Sequence, residues 1–246
     1  SLTLGFTDQN LNANFYNTSI DNNSANLNLS QLGGVMVFEN DSQLNKLNLG
    51  INYQVNNQFK NDWTSEGVSF PTWNINFFNA LDETEYNHLE SQKYRNISSG
   101  NQSELNFSIA ADFDDTFFFG LSFSSHDFNL KEEATREEYA TNGADEYVDA
   151  YEYFWQDVKG EGFSLGVGLI YKPTHALRVG LSYTSPTWFE VHEESNYYLE
   201  NDNDFYGYYD VLYSSDPPSY YNSDTKLQTF DYQLRTPSKL TGSIAT

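Results

Sequence analysis

Side chains of alternating polarity are the feature of this sequence that most constrains its fold. From 47 to 55 the odd positions are apolar (Leu47, Leu49, Ile51, Tyr53 and Val55), whereas the even positions are polar or glycine. Because successive side chains of a β-strand point to opposite faces, this stretch predicts a strand with one apolar and one polar face. The alternation recurs at 105–113, 117–124, 163–171 and 177–184. The chain is therefore predicted to be all-β.

The same pattern bears on membrane insertion. No apolar run approaches the roughly 20 residues that a membrane-spanning helix needs. A membrane-spanning β-strand needs only about 10 residues, and alternation hides its apolar face inside a polar average. An apolar content of 38% is thus compatible with a transmembrane β-barrel.

Charge and cysteine content exclude several classes of function. A formal net charge of −23 argues against a nucleic-acid partner, since affinity for phosphates rests on Lys and Arg. The acidic residues are concentrated at 132–149 and 190–204, which we interpret as solvated loops. The absence of cysteine excludes disulfides and thiolate metal sites. No catalytic triad, phosphate-binding loop or metal-ligand spacing can be identified, so no enzymatic activity, cofactor or metal is predicted.

The connections between the predicted strands are alternately short and long. Turn-forming residues make short links at 39–42, 114–115 and 172–175, whereas polar, aromatic-rich links cover 60–102, 130–160 and 192–228. Outer-membrane barrels combine short periplasmic turns with long extracellular loops. An antiparallel transmembrane barrel is therefore favoured over a soluble β-sandwich, in which the apolar faces would share a dry core.

Four stretches of the chain resemble one family of proteins. They are LNFSIAADFDD at 105–115, GEGFSLGVGLIYKPT at 160–174, LRVGLSYTSPTWF at 177–189 and FDYQLRTPSKLTGS at 230–243. In this order they are similar to strands of FadL-type outer-membrane transport proteins, especially their Bacteroidetes branch. The resemblance implies a fourteen-stranded barrel with an N-terminal hatch that passively imports long-chain fatty acids or aromatic hydrocarbons.

The resemblance also sets expectations for this chain as a whole. Residues 1–246 would form about half of a single outer-membrane barrel domain, without the hatch and the last strands. Its partners would be outer-membrane lipid and a hydrophobic ligand, which extracellular loops capture and which leaves sideways through the wall. An alternative role is that of a protein-interaction partner in an outer-membrane assembly such as type IX secretion.

Aromatic side chains in the links and at strand ends are the candidate ligand-binding residues. Each buries a large area while restricting few torsions. The alternative is packing within the loops or an aromatic girdle at the membrane surface. The candidates are Trp63, Trp73, Phe77, Phe78, Trp188 and Phe189.

Two arginines and two prolines complete the set. By parity Arg178 and Arg235 should point away from the apolar side chains next to them, into the lumen. There they could pair with a fatty-acid carboxylate, or with acidic lumen residues that stiffen a barrel. Pro186 and Pro237 each predict a bulge or a strand end, because proline donates no ladder hydrogen bond; a lateral opening is a second use.

Overall fold

The computed structural model describes residues 1–15, 18–39, 44–67, 75–79, 84–86, 88–144, 146–174, 176–201, 209–213, 219–221 and 227–246. Its regular elements are all β-strands. They are β1 (Leu2–Phe15), β2 (Thr18–Glu39), β3 (Leu44–Gln58), β4 (Asn61–Gly67), β5 (Ile75–Asn79), β6 (Thr84–Tyr86), β7 (His88–Phe113), β8 (Phe117–Thr141), β9 (Tyr147–Thr174), β10 (Leu177–Thr184), β11 (Trp188–Asn201), β12 (Tyr209–Tyr213), β13 (Ser219–Tyr221), β14 (Gln228–Arg235) and β15 (Lys239–Ala245).

The all-β prediction is confirmed. Each of the five stretches chosen for their alternation lies inside a strand, in β3, β7, β8, β9 and β10. Among the described residues there is no helix with the length and apolarity needed to cross a membrane.

A large antiparallel sheet holds most of the strands, in the order β1-β2-β3-β7-β8-β9-β10-β15. β4 continues β3 along β7, and β11 continues β10 along β9. In the same way β14 pairs with β11 and β15 with β10. Within the described residues the sheet is open, with β1 at one edge and β14 and β15 at the other.

The predicted long polar links are wrong for much of their length. Strands β8 and β9 stay paired as far as Thr141 and Tyr147, so the link predicted at 130–160 is mostly hairpin. The other two links contain the start of β7 and most of β11, and parts of both form a second sheet of order β13-β12-β5-β6. Charged residues interrupt the apolar alternation in these stretches of the sequence. The strands nevertheless continue there, because the backbone hydrogen bonds between them do not depend on the side-chain pattern. Glu138, assigned to a solvated loop, is buried.

The short turn predicted at 114–115 is confirmed, whereas residues 172–174 of the turn predicted at 172–175 still belong to β9. Asp114 and Asp115 have φ values of 55° and 51°, the left-handed conformation that two-residue hairpin turns need and that Asp tolerates better than most residues. At the next turn the Leu177 backbone N–H donates to Thr174 Oγ1 at 3.2 Å. Residues 40–43 lie outside the described residues.

Pro186 and Pro237 interrupt two neighbouring strands at the same level, which confirms the predicted irregularities. Side chains restore the missing hydrogen bonds. Ser185 Oγ accepts from the Leu165 N–H at 2.9 Å, and Thr236 Oγ1 accepts from the Thr187 N–H at 2.9 Å. The sheet is therefore bridged across the interruption.

Candidate ligand-binding surface

The two faces of the sheet differ in exposure, and the more exposed one, called here the outer face, is the apolar one. On the outer face Phe107, Leu121 and Val167 are 46%, 59% and 49% exposed. On the opposite, inner face Ser124 and Ser164 are each only 5% exposed. A soluble protein has the reverse polarity. The shared dry core expected for a sandwich is not present among the described residues.

The apolar outer band has a measurable height. On β9 it extends over nine residues, from Phe163 to Tyr171, and both ends carry aromatic contacts. The eight residue-to-residue steps correspond to about 27 Å along a strand, or to about 21 Å perpendicular to the band if the strands tilt by about 40°.

Beyond the Phe163 end of this band, a direction called here above, the polarity of both faces is reversed. The outer face becomes charged, with ion pairs such as Lys159–Asp157 at 3.1 Å and Arg95–Asp62 at 2.9 Å. The inner face becomes apolar. Its buried cluster, called here the inner apolar patch, consists of Phe128, Leu130, Val158, Phe189 and Val191.

Glycines on β9 leave room for the two aromatic rings of the patch to pack directly against the strand. A Cβ at Gly160 would overlap the Phe128 ring, and a Cβ at Gly162 would lie 2.6 Å from Phe189 Cδ1. The two rings meet edge to face, with centroids 5.7 Å apart and planes at 79°. Phe189 is therefore only 4% exposed although it packs on a single sheet.

Strand β14 extends the patch with side chains that are still exposed. Leu234 pairs with Phe189, Tyr232 with Val191 and Phe230 with Glu193. Direct partners in an antiparallel sheet share a face, so these three side chains lie on the inner face. Each is between 43% and 49% exposed, which leaves apolar area free for a ligand.

Polar groups border the patch from below. His126 Nε2 and Ser164 Oγ are hydrogen-bonded at 2.8 Å, and Glu104 accepts from Ser124 Oγ at 2.7 Å and from Gln54 Nε2 at 3.0 Å. Burial raises the pKa of Glu104, but its hydrogen bonds, that from Ser124 foremost, outweigh burial and hold the pKa below its usual value. This carboxylate is therefore ionised at neutral pH.

Two further carboxylates border the upper end of the patch, Glu132 above Leu130 on β8 and Glu193 beside Val158. Glu132 accepts from Asn96 Nδ2 at 2.6 Å. Glu193 accepts from Gln156 Nε2 at 2.7 Å and from the Tyr232 hydroxyl at 3.1 Å. Burial, followed by the bond to Glu193, raises the pKa of Tyr232, so its phenol remains a donor.

A cavity of about 730 Å³ adjoins this part of the inner face. Leu130 of the patch and the neighbouring Glu132 are among its lining residues. The opposite wall includes Asn22 of β2 and Lys60 of the link between β3 and β4. The patch and the cavity together give the inner face a surface on which an apolar molecule can be held.

The structure places the aromatic candidates in different surroundings. Phe189 is central to the inner apolar patch. Trp188, next to it, lies on the outer face against Phe163, with ring centroids 5.2 Å apart. Trp63 lies on the inner face of β4, 5.1 Å from the Tyr94 ring and apart from the patch. Trp73 lies outside the described residues, and so do the side chains of Phe77 and Phe78, whose backbone forms part of β5.

The two arginines do not meet at a common site. Arg235 pairs directly with Trp188, and its guanidinium lies 5.8 Å from that ring, so it is on the outer face. The prediction that Arg235 points into the lumen is therefore wrong. Arg178 lies on the face opposite Val179, as predicted, but at the far end of β10 from the patch. Neither of the two arginines that were predicted to bind a ligand carboxylate therefore lies beside the patch.

Four of the five patch residues were missed from the sequence. The signal was a change of parity: along β8 the apolar residues from Phe119 to Phe123 occupy odd positions, whereas Phe128 and Leu130 occupy even positions. The same change on β9 separates Val158 from Phe163. Such a change within one strand transfers the apolar side chains from one face of the sheet to the other.

Comparison of the chain with family models, with curated proteins and with solved structures finds no match.

Proposed function

We propose that this chain is part of an outer-membrane β-barrel that passively takes up hydrophobic small molecules. The observation that carries the proposal is the exposed apolar outer band opposite a polar inner face. Its height of about 21 Å is close to the roughly 25 Å apolar band of transmembrane barrels. In water such a surface would drive aggregation, whereas in a bilayer lipid chains cover it.

The inner apolar patch is the proposed capture site. It lies immediately above the membrane band, where the outer face is already charged and water-exposed. A hydrophobic molecule arriving from outside would gain about 25 cal/mol for each Å² of apolar surface that it removes from water there. The resemblance to FadL-type proteins supports long-chain fatty acids or aromatic hydrocarbons as the ligand class.

A sideways exit, as the resemblance implies, would pass the interruption at Pro186 and Pro237. That interruption lies just below the patch, level with Leu165 in the upper part of the membrane band. Its opening would break the hydrogen bonds that Ser185 and Thr236 provide. The arrangement in which Ser185 and Thr236 bridge the interruption would then be the resting state.

Partitioning and binding test the proposal in sequence. The intact gene product should require detergent or lipid, and after reconstitution it should bind at least one member of a panel of alkanes, aromatic hydrocarbons and fatty acids. A product that stays soluble and monodisperse without detergent would refute the membrane assignment. A membrane protein that ignores the whole panel but co-purifies with a stable protein partner would instead support a role in an outer-membrane assembly.

A further inference from the structure

We infer that the inner apolar patch selects amphiphiles by the charge of their head group and binds a cationic amphiphile, such as a long-chain alkylammonium, more tightly than a fatty acid. This inference rests on the proposed function and names its ligand more narrowly. It also reverses the expectation that arginines hold a carboxylate at this site.

The carboxylates that border the patch are held by neutral hydrogen-bond donors rather than by cations. Among the residues that the structure describes, the hydrogen-bond donors to Glu104, Glu132 and Glu193 are neutral amides and hydroxyls. In the part of the chain that the structure describes, none of the three forms an ion pair with a Lys or Arg. Hydrogen bonds from neutral donors stabilise a carboxylate without cancelling its field. A ligand on the patch is therefore exposed to negative potential at both ends.

The cations of this part of the sheet are placed where they do not offset that field. Arg136 is on the inner face but pairs with Glu138 at 3.4 Å. Lys131 and Lys159 are on the outer face, where both approach Asp157. Lys60 lines the adjoining cavity opposite Glu132, but Asp8 and Asp62 line the same cavity. A carboxylate head group on the patch would thus meet mainly like charges, whereas an ammonium head group would meet opposite charges.

Aromatic rings on the patch favour the same head group. Phe230 and Tyr232 expose about half of their surface on the inner face, and Tyr232 donates to Glu193. A quaternary ammonium is attracted to the face of an aromatic ring, and more strongly where water is excluded. The spacing of the lower and upper carboxylates suits a molecule with an apolar body. Glu104 pairs with His126, and Glu193 lies in the row of Leu130 and Val158. These two rows are four residues apart on β8, which is about 14 Å along the strand.

Three probes with one alkyl chain separate the head group from the hydrophobic body. Dodecyltrimethylammonium, dodecanol and dodecanoate would be titrated calorimetrically at pH 8 into full-length protein in phosphatidylcholine nanodiscs, with the signal of empty nanodiscs subtracted. We expect the ammonium to bind at least about tenfold more tightly than the carboxylate, with the alcohol between them. Dodecanoate binding as tightly as the ammonium would overturn the inference while leaving the proposed uptake function standing. Failure of all three probes to bind would also overturn the inference, and the panel of alkanes, aromatic hydrocarbons and fatty acids would then decide separately whether the proposed uptake function stands.

Charge-neutralising variants identify the groups responsible. In the double variant Glu132→Gln, Glu193→Gln we expect the preference for the ammonium to fall about tenfold, while dodecanol binds as in the wild type, which also shows that the variant is folded. Glu133→Gln is the matched control, because Glu133 is next to Glu132 but is exposed on the outer face. A double variant that keeps the wild-type preference, or a control that loses it, would contradict the assignment.

Discussion

Substitution of Leu121 by arginine tests whether the outer face is in contact with hydrocarbon. Leu121 is 59% exposed and pairs with Val167, which lies midway between Phe163 and Tyr171 at the two ends of the band on β9. In the proposed orientation it is therefore near the bilayer midplane. A lipid-facing arginine there costs about 2–4 kcal/mol, against about 0–1 kcal/mol near the membrane surface.

A soluble protein would respond differently to the same change. Exchange of an exposed surface residue away from specific contacts usually alters the free energy of unfolding by less than about 0.5 kcal/mol. The two environments thus differ by at least about 1.5 kcal/mol, which a urea titration resolves. The assay is reversible unfolding of the full-length protein from phosphatidylcholine vesicles, followed by tryptophan fluorescence.

Asp127→Arg is the matched control on the same strand. Asp127 is exposed on the outer face, on the first charged row above the band, and pairs directly with Glu161. An arginine there would face water and a carboxylate, so we expect a change within about 0.5 kcal/mol. Equal, small effects of Leu121→Arg and Asp127→Arg would refute the placement of the outer face in lipid.

Two further predictions concern the patch and the outer edge of the sheet. Gly162→Ala should lower the free energy of unfolding by about 1–3 kcal/mol, because the new Cβ would lie 2.6 Å from Phe189 Cδ1. Gly168→Ala is the control and should not lower it, because a Cβ there has no neighbour closer than 4.0 Å. Similar urea midpoints for the two variants would contradict the packing of Phe189 on Gly162. The pKa of His192 is raised above 6.5 by its hydrogen bond to Asp231 and then by Glu194. Its contribution to β11–β14 pairing should be fully present below pH 6.5 and be lost as pH rises through the raised pKa. Amide exchange in β14, corrected for intrinsic rates, should show this loss in the wild type and not in His192→Asn.

The strands could be predicted from sequence only where one face is apolar and the other polar. That condition holds for 105–113 and 117–124, and both lie inside strands. It fails above the band, where Glu132 and Glu133 follow each other and water covers one face. There the hairpin of β8 and β9 is held by the backbone hydrogen bonds between the two strands, which cannot be predicted from the side-chain pattern.

Arg235 shows why a site needs the sheet register as well as parity. Counting along β14 correctly placed Arg235 opposite Leu234, but Leu234 was assumed to face outward as apolar residues do in the band. β14 lies above the reversal of polarity, so Leu234 shares the inner face with Phe189. The prediction was wrong because it assigned the apolar side chains of β14 to the outer face. Only the pairing of β14 with β11 shows that they lie on the inner face.

The upper edge of the apolar outer face runs obliquely across the sheet, and its slope supports the membrane proposal. On β15 the edge lies at Leu240, whose row of cross-strand partners reaches β2 at Met36. On β1 it lies at Phe6, which pairs with Leu27 on β2. From β15 to β1 the edge rises along the strand direction by the nine residues from Met36 to Leu27, which is about 30 Å. Over the same interval it crosses seven strand spacings, which is about 34 Å. The edge is therefore inclined by about 40° to the rows of cross-strand partners. Strands of transmembrane barrels tilt by about 35–45° from the membrane normal, so a flat membrane surface would cross their rows at this angle. A water-soluble sheet has no reason to arrange its exposed apolar residues along such a line.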